Sequence, residues 1–381
     1  MIVKTKIDAA HTNIFVLLAL FTILLFSADA LHSQGFRDSP HGDKRNLPKG
    51  CGSCHKGHGV AYTSMLPEQK NTFCFRCHGD IAVRENMKKT GLLSHDADLA
   101  NIKMAFEKPY HHPIESIGIH KYDEILPETD PSMPRHSECG DCHHHHYANK
   151  ANVSLGITGT SVQGAKVPVI NAGYEICFNC HSYSANLPGD QTNKAEKFNP
   201  SNPSYHPVIG PGKNHDVPSL KQPLNSSSTI KCTDCHNNND GSRGPHGSEY
   251  RHILVRNFND NDGPEGSFEY ELCYHCHSRE SILSNRSFLF HNLHISIAGA
   301  SCRTCHNPHG SVRYAHLIDF DNTAIQASSS GRLEFIDYGK RAGQCFLTCH
   351  DKDHNPASYP GTLTDTSKIS PVRLTPTGSR K

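Results

Sequence analysis

Tryptophan is absent from this 381-residue chain, methionine occurs five times, and apolar residues, tyrosine included, make up only 35% of it. A globular chain runs at roughly 45–50% on a comparable set, so side chains alone offer too little material for an ordinary core. An excess of one charge is also missing, since 38 basic residues face 37 acidic ones. That balance excludes the disorder that comes from low hydropathy combined with high net charge. It also excludes the basic excess or stripe on which nucleic-acid binding depends. Beyond the first 30 residues no stretch is apolar enough to span a membrane. Something other than side chains must fill the interior.

The first 30 residues follow a different logic. Lys4 and Lys6 precede an apolar run from Ile14 to Phe26, broken only by Thr22, and Ala28-Asp29-Ala30 offers a small-residue cleavage site before Leu31. This pattern reads as a secretory signal peptide over 1–30. The run is shorter than the roughly 20 residues of a spanning helix. No cysteine precedes Cys51, which excludes a lipidated cysteine at the cleavage site.

Sixteen cysteines in an exported chain first bring disulfides to mind, but the spacing rejects them. Seven pairs are C-x-x-C followed at once by histidine: Cys51/Cys54/His55, Cys74/Cys77/His78, Cys139/Cys142/His143, Cys177/Cys180/His181, Cys232/Cys235/His236, Cys273/Cys276/His277 and Cys302/Cys305/His306. The eighth, Cys345/Cys349/His350, has one extra residue between its thiols, and no cysteine is left over. Zinc sites use C-x-x-C pairs without needing a histidine after each. C-x-x-C-H is the attachment signature of c-type haem: two thiols on one helical turn bond the vinyl groups, and the next imidazole meets the iron. Eight covalent haems, with His55, His78, His143, His181, His236, His277, His306 and His350 as proximal ligands, also account for the poor core. The expected fold is haem-dominated and mostly irregular, with short α-helices at the motifs and a few β-hairpins.

The motifs alternate. Odd-numbered ones carry small or polar fillers such as Gly140-Asp141 and Thr233-Asp234, whereas even-numbered ones place Phe75, Phe178, Tyr274 or Phe346 after the first cysteine. This gives four two-haem units, at 31–100, 101–190, 191–285 and 286–354, and a tail at 355–381 that reads as disordered. In units three and four, Ile253 to Phe258 with Ser267 to Leu272, and His316 to Phe320 with Arg332 to Tyr338, read as hairpins.

Histidine numbers 30, while only Met65, Met87, Met104 and Met133 follow the initiating methionine, so histidine is expected on both faces of each iron. Two recurring sets are candidate distal ligands. One trails the odd motifs: His58, His146, His246 and His309. His58, His146 and His309 sit three positions after a proximal histidine and share its helical face, so they point to a neighbouring haem rather than their own, and His246 takes that role in unit three after seven extra residues. The other set precedes the odd motifs: His41, His112, His206, and either His291 or His294. His144 and His145 read as surface residues, and His120, His136, His215, His252 and His316 are reserves.

Cys302 to Ser311 (C-R-T-C-H-N-P-H-G-S), Cys51 to Gly59 and the stretch Tyr205 to Val208 resemble the doubled-CXXCH-motif family of multihaem cytochromes c. The resemblance implies an electron carrier with bis-histidine haems in the periplasm or at the cell surface. The long spacer in unit three and the C-x-x-x-C-H at Cys345 depart from that pattern. The function expected is electron transfer along closely spaced haems, without catalysis. Redox partner proteins follow, such as quinol-oxidising or outer-membrane cytochromes, with a homo-oligomer, filament or conduit as an assembly of the same carrier. Two propionates per haem take the formal charge from +1 to about −15, which suits a basic partner surface. The competing reading is a nitrite, hydroxylamine or tetrathionate reductase with one open iron.

Overall fold

A computed structural model of the chain describes residues 36–61, 63, 65–114, 120, 137–183, 187, 191–320, 324–349 and 351–359. The expected signal peptide at 1–30, His136, His350 and the tail from 360 onward lie outside the described residues.

Helix occurs mainly in short pieces at the motifs. Three odd motifs are single turns, Cys139–Cys142, Cys232–Cys235 and Cys302–Cys305, and the first is a 3-10 turn at Gly50–Ser53. Their polar fillers and flanks cap them. The Asp141 carboxylate accepts the Glu138 N–H at 2.7 Å, Asp234 accepts the Lys231 N–H at 2.8 Å, and the Ser301 hydroxyl accepts the Thr304 N–H at 3.2 Å. Even motifs close longer helices, Lys70–His78, Tyr174–His181 and Glu271–Cys276. The aromatic residue after their first cysteine turns inward, leaving Phe178 and Tyr274 buried.

The eighth motif breaks the expectation of a helix. Cys345 and Cys349 lie on a strand, β9 (Gly343–Cys349), the centre of a four-stranded antiparallel sheet. The others are β7 (Ile325–Gln326), β8 (Glu334–Asp337) and β10 (Lys352–Tyr359). The β-prone run Phe346-Leu347-Thr348 favours this conformation. The strand β10 also corrects the disordered tail: residues 355–359 continue a ladder that sets Ala357 opposite Cys345 and Tyr359 opposite Gly343.

The two expected hairpins also change. In unit three Ile253 to Phe258 and Ser267 to Leu272 lie side by side without named strands, joined by Asn259 N–H to the Glu269 carbonyl at 2.7 Å and Leu272 N–H to the Asn257 carbonyl at 3.0 Å. In unit four β8 pairs with β9 rather than with residues 316–320. Both entry stretches start at two consecutive left-handed residues, His252-Ile253 and His316-Leu317, which turn the chain before a ladder can form.

The remaining sheets have two-residue strands. β2 (Gly159–Thr160) pairs with β3 (Lys166–Val167) inside unit two. β1 (Tyr110–His111) pairs with β5 (Gly247–Ser248), and β4 (Ser204–Tyr205) with β6 (Gly310–Ser311), so each of these joins one unit to the next. Buried apolar side chains gather in three small clusters, around Phe178, Phe198 and Tyr205, around Leu47, Met87 and Leu93, and around Tyr270, Tyr274 and Ile295. Motif thiols Cys54, Cys77 and Cys302 pack against the last two. At roughly 1.5–3 kcal/mol per buried large side chain, such clusters fall far short of ordering units of this size.

Candidate haem sites

Seven pairs of imidazoles face each other at nearly one separation. Ring centres lie 6.2 Å apart in His41–His78, His55–His146, His143–His246 and His294–His354, 6.1 Å in His236–His309, 6.3 Å in His291–His306 and 6.5 Å in His206–His277. Two imidazoles bound to opposite sides of one metal, at about 2 Å per bond, have ring centres about 6 Å apart. After burial, His112 has the largest electrostatic influence on His181, which gives the fourth proximal histidine an imidazole neighbour as well. Among the described residues no group of three or more His, Cys, Asp or Glu could hold a bare ion. Opposed pairs without a third protein donor fit a metal that brings its own equatorial ligands, as haem does.

The pairing follows a rule. Trailing histidines reach backward by one unit: His146 of unit two meets His55 of unit one, His246 meets His143, and His309 meets His236. Preceding histidines stay within their unit, with His41 opposite His78 and His206 opposite His277.

The same junction fixes the ring orientations. Nδ1–H of His41 donates to the His145 carbonyl at 2.7 Å, that of His112 to Pro245 at 2.7 Å, and that of His206 to Pro308. Each acceptor is the residue before a trailing histidine. A phenyl ring edges each trailing imidazole, with Phe36 5.3 Å from His146, Phe106 5.6 Å from His246 and Phe198 5.5 Å from His309. The glycine after the last two histidines is required by close approach. A Cβ on Gly247 would lie 1.8 Å from the Ala105 oxygen, and one on Gly310 would lie 2.0 Å from the Lys197 oxygen. The proximal rings are anchored too, by Nδ1–H bonds from His143 to Val153 at 2.9 Å, His236 to His252 at 2.8 Å and His306 to His316 at 3.0 Å. A carbonyl can only accept, so Nδ1 carries the proton and Nε2 is left free to bind a metal.

The thiols alternate in the same sense. Within units, Cys54 neighbours Cys77, Cys142 neighbours Cys180, Cys235 neighbours Cys276, and Cys305 neighbours both Cys345 and Cys349. Between units, the thiols of Cys74 and Cys139, of Cys177 and Cys232, and of Cys273 and Cys302 are hydrogen-bonded to each other. The motifs therefore form an unbroken series in sequence order. Burial pushes Cys142 and Cys305 up to about 12, reinforced by the Asp141 carboxylate at the first and by the Cys345 and Cys349 thiols at the second, which keeps them protonated. Burial pulls His78, His181, His246, His277 and His306 down to about 4 and His291 to about 3, with neighbouring imidazoles adding to the shift. These rings are neutral at neutral pH, the form that ligates.

Not every candidate is brought to such a pair. His58 is exposed and meets no second imidazole among the described residues. The choice between His291 and His294 dissolves, because each faces a different partner. Among the reserves, the His120 ring bonds the Asp141 carboxylate at 2.9 Å and the His316 ring meets Asp337 at 3.2 Å. His252 and His316 contribute backbone carbonyls instead, presented by their left-handed conformations. His354 was not singled out from the sequence, and the signal that could have found it is strand parity.

No curated protein and no solved structure matches the chain. A family model described as the doubled CXXCH motif matches residues 45–83 and 223–281, covering the first two motifs and the fifth and sixth. Those two stretches carry the doubled CXXCH motif, and both matches are consistent with a multihaem cytochrome c family.

Proposed function

We propose that the chain carries eight haems, each between two histidines, and passes electrons along them in the order of its motifs. The unbroken alternation of thiol contacts, from Cys54 and Cys77 to Cys305 and Cys345, is the observation that carries this reading. The pairs His55/His146, His78/His41, His143/His246, His181/His112, His236/His309, His277/His206 and His306/His291 would hold the first seven irons. When bound, haem supplies reversible one-electron chemistry, and two imidazoles per iron without methionine set low potentials. The chain supplies neutral ligands, rings locked by carbonyls, and spacing set by neighbouring thiols.

A carrier of this kind needs redox partners but no substrate vacancy. Among the described residues no helix is long and apolar enough to cross a membrane. The signal-like start favours export to the periplasm or cell surface, where a basic partner face would complement the propionates.

Intact mass and a pyridine haemochrome assay on the holoprotein should give eight covalent haems. Ferric spectra should be low-spin throughout, and the ferrous protein should bind little carbon monoxide. One stoichiometric high-spin haem with turnover of nitrite or hydroxylamine would replace the carrier with a reductase.

A further inference from the structure

The eighth motif departs from the others in both spacing and backbone, and the two departures explain each other. On a strand, residues i and i+3 face opposite sides, whereas i and i+4 share one. The extra residue between Cys345 and Cys349 therefore sets the two thiols on one face of β9, where either could tether a haem. A helical motif supplies its ligand from the position after the second thiol, by a geometry that a strand does not share.

The matching position lies across the hairpin. Residues directly opposite in an antiparallel pair share a face. His354 on β10 stands opposite Leu347 on β9, so its imidazole shares the side of Cys345, Leu347 and Cys349. Phe335, opposite Cys345, and Ile325, opposite Cys349, complete an apolar surface there, and both are buried. His294 faces His354 at 6.2 Å, within the range of the six pairs that include a proximal histidine. The Nδ1–H of His294 donates to the Phe290 carbonyl at 2.8 Å, the same kind of anchor as at His112 and His143, which turns Nε2 outward. Phe288 packs 5.8 Å from His294 and 5.0 Å from Tyr359, walling the site as Phe106 and Phe198 wall theirs.

We propose that His354 and His294 are the axial ligands of the haem tethered on β9, in place of the motif's own His350. The assignment rests on the multihaem reading, and it makes the C-terminal hairpin itself a haem-binding element.

The test uses full-length holoprotein made with the haem-attachment machinery. The variants His354→Ala, His294→Ala and His350→Ala are compared by haem count, ferric spin state and carbon monoxide binding by the ferrous form. Each of the first two should turn one haem high-spin and carbon monoxide-binding with the count unchanged, while His350→Ala leaves every haem low-spin. Should a variant misfold, His354→Gly with added imidazole gives the same answer, because the free ligand should restore the low-spin signal. A new high-spin haem in His350→Ala, with His354→Ala still low-spin, overturns the assignment and leaves the carrier reading intact. A native protein that lacks the eighth haem also overturns the assignment, whereas a native high-spin haem with turnover of nitrite or hydroxylamine defeats the carrier reading instead.

Discussion

The junctions between units and the end of unit four solve the same problem with different parts. At the junction of units two and three, a strand pair, a carbonyl anchor from His112 to Pro245 and the backward-reaching His246 act together, and the junction of units three and four repeats the set with His206, Pro308 and His309. Unit four has no following unit among the described residues. There the short segment from Phe288 to His294, running into the helical turn Leu293–Ile297, presents two imidazoles, His291 toward His306 and His294 toward His354. The first solution depends on contacts far apart in sequence and contains almost no continuous ladder. The second rests on a four-stranded sheet that supplies its own backbone hydrogen bonds. Cofactor dependence should therefore differ along the chain.

The largest expected effect follows from that contrast. Chain made without haem attachment should lose amide protection across the junctions, since clusters as small as Leu47–Met87–Leu93 cannot order them. Residual protection should be confined to 334–359. Hydrogen exchange read by mass spectrometry checks this, and uniform protection in a haem-free sample would break the contrast.

Next in size is removal of a junction ligand. His309→Ala should open the fifth haem, one unit upstream of the substitution, because His309 faces His236. One haem should become high-spin while all attachments persist. His58→Ala, at an exposed position, should change no spectrum.

Smaller again is the glycine that lets two units approach. Gly310→Ala drives a Cβ into the Lys197 carbonyl and should cost about 1–3 kcal/mol in chemical denaturation of the holoprotein. Gly173→Ala meets nothing within 4 Å and should stay within about 0.5 kcal/mol. Equal costs for the two would show that the junction yields freely.

The smallest effect separates strand from helix. Four residues of strand place the Cys345 and Cys349 backbones about 13 Å apart, against about 5 Å along one helical turn. The eighth haem should then form one thioether and leave one alkylatable thiol, readable by peptide mass. Two thioethers at this site would mean that β9 rearranges on attachment.

Much of the site could be read from residues alone because its chemistry is local. Cysteine spacing marks the attachment positions, and Pro-His-Gly-Ser marks His246 and His309 as equivalent. The partner of each depends on contacts more than 70 residues away, such as His309 with His236, which no local pattern encodes. His58 shares the trailing context, but among the described residues no proximal histidine stands opposite it. The shared context gives the direction in which a ligand points and not whether anything stands there. The tail misled by composition: Asn355, Pro356 and Ser358 belong to loop-forming residue types, yet pairing with β9 draws them into a strand. His354 was hidden for the same reason, since its place beside the thiols exists only once the hairpin closes.

The backward reach of His146, His246 and His309 also bears on how such an array can change length. Every interior unit gives one imidazole to the unit before it and receives one from the unit after it. On the proposed ligation, duplicating or deleting a whole interior unit would leave every iron with two ligands, because the gift and the receipt travel together. Cutting between the two motifs of a unit strands an iron at once. The haem number of such chains can therefore change by recombination in steps of two, without any new ligand having to arise.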